Sequence, residues 1–310
     1  MEYCFGVDIG GTTVKMGLFS TDGTLVEKWE IPTRTENEGE RILPDVAKAL
    51  LSKMTERKIG SYEVKGIGIG IPAPVMENGI VQKTANLGWG YKEVRREMEE
   101  LTGLKTAAGN DANVAALGEM WLGAGKGQKN MVMVTLGTGV GGGIIVDGRP
   151  LSGTHGAGGE IGHICVNETE TEKCGCGKTG CLEQYASATG ISRLAAKRLE
   201  KDDRPSRLRE SDLSAKAVFD ALKAGDETAE EIAEEFGAYL GHALANIAVI
   251  VDPAVIVIGG GVSKAGGILL EYVEKYFHEK AFFANQDTKF VLAELGNDAG
   301  ICGAAKLILD

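Results

Sequence analysis

Residues Val134–Tyr185 read VTLGTGVGGGIIVDGRPLSGTHGAGGEIGHICVNETETEKCGCGKTGCLEQY. The start of this stretch decides the fold. Met131–Leu136 is a short apolar run, as expected of a buried strand, and it breaks into the turn Gly137-Thr138-Gly139-Val140-Gly141-Gly142-Gly143. Further apolar residues and the turn signal Asp147-Gly148 follow. The same layout occurs near the start of the chain. Val7–Gly23, VDIGGTTVKMGLFSTDG, runs strand, glycine/threonine turn, strand, Asp-Gly, as Val134–Gly148 does. The two stretches are an internal repeat, weak in identity but matched in layout. The fold class expected is α/β.

Outward from the second turn lie a carboxylate and an imidazole, in Gly159-Glu160-Ile161-Gly162-His163, and then a cysteine cluster. His163, Cys174, Cys176 and Cys181 make three sulfur ligands and one nitrogen ligand, a closed structural zinc set. The competing reading is a disulfide or scattered buried thiols. Zinc is favoured because CxC followed by CxxxxC in polar, glycine-rich sequence is poor core material. Four protein ligands leave no open position for catalysis.

Three other places carry chemistry. Gly10-Gly11-Thr12-Thr13, with Lys15 after it, joins two strands; it is either an ordinary tight hairpin or a turn that wraps phosphate oxygens. It is not a Walker loop. Gly259-Gly260-Gly261 follows the strand Val255–Ile258; it is either a strand-to-helix turn or bare backbone against which a flat group can lie. Asn110-Asp111 sits between a strand and a helix. Asp111 there is either a helix cap or, at the strand-end edge where open α/β sheets bind ligands, a carboxylate able to accept a hydroxyl proton.

Composition narrows the classes. The chain has 310 residues, enough for two domains, and a net charge of −11, which argues against a nucleic-acid partner. No apolar stretch reaches membrane-spanning length, and no signal peptide is visible before the first strand. Six cysteines fit a reducing, cytoplasmic compartment with a metal site. Cys4, Cys165 and Cys302 stand alone in apolar surroundings and are expected in the core.

The run LGTGVGGGIIVDGRPLSGTHGAGGEIGH followed by CGCGKTGCLEQYAS resembles the signature of the ROK family of sugar kinases and repressors, and the likeness extends over nearly the whole chain. The wording CLEQYAS is nearest the bacterial glucokinases of that family. The resemblance implies an actin-like ATPase (ribonuclease H-like) fold, two similar domains flanking a cleft. It implies ATP-dependent phosphorylation of a hexose at the 6-hydroxyl, with D-glucose first and N-acetylmannosamine or fructose as alternatives. Asp111 matches the catalytic base. Asn110, Asp111, Glu160, His163 and Glu183 match the sugar contacts, with Gly70 adding backbone. Asp8, Gly10, Gly11, Thr12, Thr13, Lys15, Gly137, Thr138, Gly139, Gly141, Gly259, Gly260 and Gly261 are the expected nucleotide contacts. Asp8 would place Mg²⁺ through water, and structural zinc would orient the loop carrying Glu160 and Glu183. His163 would bind zinc through one ring nitrogen and sugar through the other. One departure is Ala73 in IPAPV, where the family often has glycine. A family repressor is disfavoured, because Asp8 leaves no room before it for a DNA-binding domain.

Helices are expected over Glu38–Arg57, Gln184–Lys201, Ser214–Lys223, Glu227–Val251 and Asp298–Leu309, and an exposed loop over Leu199–Leu213. The domain reading is 1–118 with the closing helix 298–310 packed back on it, and 119–297 with the zinc loop. A homodimer is the default oligomer.

Overall fold

The first repeat builds a sheet from its own meander. The computed structural model describes residues 2–310. In chain order come β1 (Tyr3–Ile9), β2 (Thr13–Ser20), β3 (Leu25–Pro32), α1 (Ile42–Arg57), β4 (Val64–Ile71), a small ribbon of β5 (Ile80–Val81) and β6 (Lys92–Glu93), α2 (Val94–Thr102), β7 (Thr106–Asn110) and α3 (Asp111–Leu122). The sheet order is β3-β2-β1-β4-β7, antiparallel in the meander and parallel from β1 through β4 to β7. β1 and β4 are buried along most of their length, as the near-continuous apolar runs of covered parallel strands require. α1 buries Ile42, Val46, Leu50 and Met54, the fourfold spacing seen in the sequence.

The second repeat follows the same plan. It comprises β8 (Met131–Leu136), β9 (Val140–Val146), β10 (Arg149–Pro150), α4 (Glu183–Ala186), α5 (Ala188–Leu199), α6 (Ala215–Lys223), α7 (Glu227–Val251), β11 (Val255–Gly259), α8 (Gly267–Lys280) and β12 (Lys289–Leu292). Its sheet order, β10-β9-β8-β11-β12, matches the first strand for strand. A closing helix, α9 (Ala299–Leu307), ends the chain. It packs against β1, β4 and α3. The approach is backbone to backbone: a Cβ at Gly68 would lie 1.7 Å from the Ala304 carbonyl oxygen, and one at Gly303 would lie 1.6 Å from that of Val114.

Two compact units result. One holds the chain up to Lys129, Gly143–Gly159 and Glu294–Asp310; the other holds Asn130–Gly142 and Glu160–Ala293. A boundary at 118/119 would cut α3, which continues to Leu122. Gly143–Gly159 joins the first unit through the buried Asn113, whose Nδ2 donates to the Gly158 carbonyl at 2.9 Å and whose Oδ1 accepts from the Ile144 N–H at 3.3 Å.

Other expectations are corrected. The single helix over Gln184–Lys201 is two, because Ser187 interrupts it: its Oγ donates to the Glu183 carbonyl at 2.6 Å and accepts from the Gly190 N–H at 2.9 Å, capping α5. The loop 199–213 contains a 3₁₀ turn, Arg207–Glu210, with Leu208 buried. Cys4 and Cys302 are buried, but Cys165 is exposed. Among the described residues no helix is long and apolar enough to cross a membrane.

Candidate active site

In the first unit, register aligns the predicted residues along one sheet edge. Asp8 on β1 pairs with Gly70 on β4, Gly70 pairs with Gly109, and Ile71 pairs with Asn110 on β7. Asp8, Gly70 and Asn110-Asp111 therefore lie at the carboxyl ends of three adjacent parallel strands. The cap of α3 is Asn110, not Asp111. Its Oδ1 accepts from the N–H groups of Ala112 at 3.0 Å and Asn113 at 3.1 Å, and its Nδ2 donates to the Ala73 carbonyl at 3.2 Å. Asp111 is the first helical residue, half-buried, its Oδ1 accepting from the Ala112 N–H at 2.8 Å. It stands where the helix dipole favours a negative charge. Ala73 is not among the residues with positive φ, so the alanine fits where glycine was expected.

Burial pushes the Asp8 carboxyl above its usual range, and the Lys15 ammonium, its partner across the hairpin, opposes that. A half-buried carboxylate raised in this way is ready to gain from a cation. Gly300, at the start of α9, makes room for it: a Cβ there would lie 2.6 Å from Asp8 Cγ. Sequence reasoning missed Gly300, which reads only as a small residue in a closing helix. In the first glycine turn the Gly10 N–H donates to the Thr13 carbonyl at 3.0 Å and closes the hairpin, leaving Gly11 and Thr12 exposed at the tip.

In the second unit two glycine turns end neighbouring parallel strands, since Gly259 on β11 pairs with Thr135 on β8. Gly137 donates its N–H to the Gly139 carbonyl at 3.0 Å, and its own carbonyl accepts from Ala188 at 2.8 Å. Gly260 has φ +86°, and a Cβ there would lie 2.5 Å from the Leu136 carbonyl oxygen, so glycine is required. Gly139 lies against the candidate sugar carboxylate: a Cβ there would come within 2.7 Å of Glu183 Oε2.

The ligand atoms of His163, Cys174, Cys176 and Cys181 all lie within 4.8 Å of one another. Tetrahedral zinc with ordinary Zn–S bonds would hold sulfurs about 3.8 Å apart. Cys176 Sγ and Cys181 Sγ are 3.6 Å apart, and Cys174 Sγ and His163 Nδ1 are 3.8 Å apart, so the set fits zinc. Burial pushes the Cys174 thiol up, a direction a bound cation would reverse. Nδ1 of His163 faces the sulfurs, while Nε2 lies 4.0 Å from Glu160 Oε2. The Cys174 thiol donates to Glu183 Oε1 at 2.8 Å. The structure thus gathers Glu160, His163, Glu183 and the cysteines into one cluster.

Behind the cluster lies a network the sequence reading did not find. The Glu170 side chain, 7% exposed, accepts from the Tyr185 hydroxyl at 2.7 Å and from the N–H groups of Thr171 and Glu172, through Oε1, at 2.9 and 3.0 Å, and pairs with Arg193. Burial would push this carboxyl up, but those donors together hold it at about 2. Tyr185 lies two residues beyond Glu183 on α4, and Arg193 also donates to the Gln184 carbonyl at 3.3 Å. Glu170 therefore ties the cysteine loop to the helix that carries Glu183.

The ROK family signature matches residues 4–310. A glucokinase of Halalkalibacterium halodurans is 44% identical over 309 residues, 98% of this chain and 94% of that one. A glucokinase of Thermotoga maritima is 38% identical over 310 residues, 98% of this chain and 96% of that one. Among solved structures, a ROK family glucokinase from Streptomyces griseus in complex with glucose and AMPPNP aligns with a TM-score of 0.73 at 32% identity, covering 98% of each chain.

Proposed function

This chain belongs to the ROK family, and on that premise we propose that it transfers the γ-phosphoryl group of ATP to the 6-hydroxyl of a hexose, D-glucose first. The observation that carries the reading is Asp111: a half-buried carboxylate at the first position of α3, at the carboxyl end of β7, with Asn110 before it as the helix cap. A carboxylate at this strand-end position, with one oxygen accepting from the Ala112 N–H, can accept the hydroxyl proton as the sugar oxygen bonds to phosphorus and the bond from phosphorus to the β-phosphate oxygen breaks.

The remaining roles follow from charge and donors. Gly11 and Thr12 in one hairpin, and Thr138 and Gly139 in the other, would offer backbone N–H groups to phosphate oxygens, the Gly137 N–H being taken by the Gly139 carbonyl. Asp8 would hold Mg²⁺ through water, which supplies charge neutralisation on the phosphates when bound. Glu160, His163 Nε2 and Glu183 would read sugar hydroxyls, each of which is both donor and acceptor. His163, Cys174, Cys176 and Cys181 would hold zinc, which organises the loop and takes no part in phosphoryl transfer.

A coupled assay with ATP and Mg²⁺ tests this against glucose, mannose, fructose, N-acetylglucosamine and N-acetylmannosamine. The expected outcome is the highest kcat/KM for glucose. A clear preference for N-acetylmannosamine or fructose replaces the substrate; no ADP release with any sugar removes the kinase reading.

A further inference from the structure

Cys165 lies outside the zinc set and directly opposite one of its members. It pairs with Cys181 in an isolated antiparallel bridge. The bonds flanking the pair, Val166 N–H to the Gly180 carbonyl at 2.8 Å and Leu182 N–H to the Ile164 carbonyl at 2.9 Å, make it the non-hydrogen-bonded type. In such a pair the Cα atoms stand about 4.5 Å apart with side chains on one face. That separation falls inside the window of about 4.4–6.8 Å that a disulfide spans. The Cys165 sulfur already leans over this strand, 3.2 Å from where a Cβ on Gly180 would be. Cys165 is exposed and lines an open groove of about 460 Å³, with Val166, Tyr239 and His242, while Cys181 is buried.

From this geometry we propose that Cys165 and Cys181 form a redox-sensitive pair through which a peroxide disassembles the zinc site. The consequence for zinc rests on the metal reading given above; the pairing itself does not. With zinc bound, the sulfurs of Cys174, Cys176 and Cys181 would be engaged, and Cys165 is the exposed cysteine beside them that lies outside the set. Its sulfur attacks hydrogen peroxide, the O–O bond breaks, a sulfenic acid forms and one water leaves. The Cys181 sulfur displaces the sulfenic oxygen as a second water, forming the S–S bond. Overall two thiols and one hydrogen peroxide give one disulfide and two waters. The metal set shrinks to His163, Cys174 and Cys176. Glu183, two residues beyond Cys181, loses its anchor.

The test treats the purified full-length protein with increasing hydrogen peroxide. Peptide mapping reads the disulfide, a chromogenic chelator reads released zinc, and initial rates read KM for glucose. The expected result is a Cys165–Cys181 link, zinc release in step with it and a rise in KM, all reversed by dithiothreitol with added zinc. Cys165→Ser should keep its zinc over the same peroxide range. Equal zinc loss from Cys165→Ser and wild type, or a link confined to Cys174, Cys176 and Cys181, overturns the proposal. If the purified protein holds no zinc or phosphorylates no sugar, the mapped link still decides the pair, so failure of the functional reading is told apart from failure of this one.

Discussion

At the scale of single residues the division of labour at Asn110-Asp111 matters most. Asn110 caps α3 through the N–H groups of Ala112 and Asn113, and Asp111, the first helical residue, shares the Ala112 N–H through one carboxylate oxygen. Asp111→Asn keeps size and polarity but removes the proton acceptor. It should lower kcat by about 10²–10⁴ while equilibrium sugar binding, measured by calorimetry, stays near wild type. Turnover close to normal would remove Asp111 as the base. Gly139→Ala tests the contact between the proposed phosphate turn and the carboxylate proposed to read the sugar. The new methyl would meet Glu183 Oε2 at 2.7 Å, and the carboxylate is the more movable partner. KM for the sugar should rise more than kcat falls; an unchanged KM would show that Glu183 does not read the sugar.

At the scale of elements, α9 depends on glycines that let helix backbone touch sheet and helix backbone. Gly68→Ala puts a methyl 1.7 Å from the Ala304 carbonyl, and backbone at both surfaces has nowhere to move. Overpacking of this kind costs about 1–3 kcal/mol or more, which should appear as a lower urea midpoint. Gly267→Ala is the control. It opens α8 into empty space and lacks positive φ, so it should be neutral or stabilising by about 0.4–1 kcal/mol. Similar losses from both would mean that packing of α9 is not the cause. The Glu170 network makes a second element-scale prediction. Its carboxyl titrates near 2 when folded, against 4.5 ordinarily. The folded form thus keeps its charge to lower pH than the unfolded form. The stabilisation is complete above about pH 4.5 and is lost as pH falls toward 2. Glu170→Gln should be less stable at neutral pH and should flatten the dependence of the urea midpoint on pH between those values; an unchanged slope would assign the acid sensitivity elsewhere.

For the whole molecule, the zinc proposed for the cysteine cluster predicts how far function depends on a metal that takes no part in the chemistry. Four ligand atoms within 4.8 Å hold a loop that has little regular structure of its own. Removing zinc should therefore loosen Glu160 and Glu183 together. Cys176→Ala, or wild type treated with a strong chelator, should lose zinc by elemental analysis and show a raised KM for sugar with KM for ATP far less changed. Wild-type protein that contains no zinc would refute the assignment, and equal losses for both substrates would make the metal's role general stability.

Much was readable without coordinates. The repeated strand, glycine turn, strand and Asp-Gly layout predicted two sheets of one plan, and both have the same strand order. β8 and α7 begin and end at the residues expected, because apolar period and flanking turn residues are local signals. The Cys/His cluster was legible for the same reason, its spacing lying mostly within one loop. Three things depended on packing between segments far apart in the chain, which no local pattern encodes. Gly300 gives space to Asp8, nearly the whole chain length away. Gly143–Gly159 belongs with the first unit because the buried amide of Asn113 bonds to it at both ends. Cys165 looked like core from its apolar neighbours, yet strand pairing turns it outward and sets it against Cys181. The sequence by itself determined which segments form strands and helices and which residues are candidates for the chemistry, since those follow from side-chain type and spacing. Only the tertiary structure decided which groups are desolvated, cramped or exposed, since that depends on what the rest of the chain brings against them.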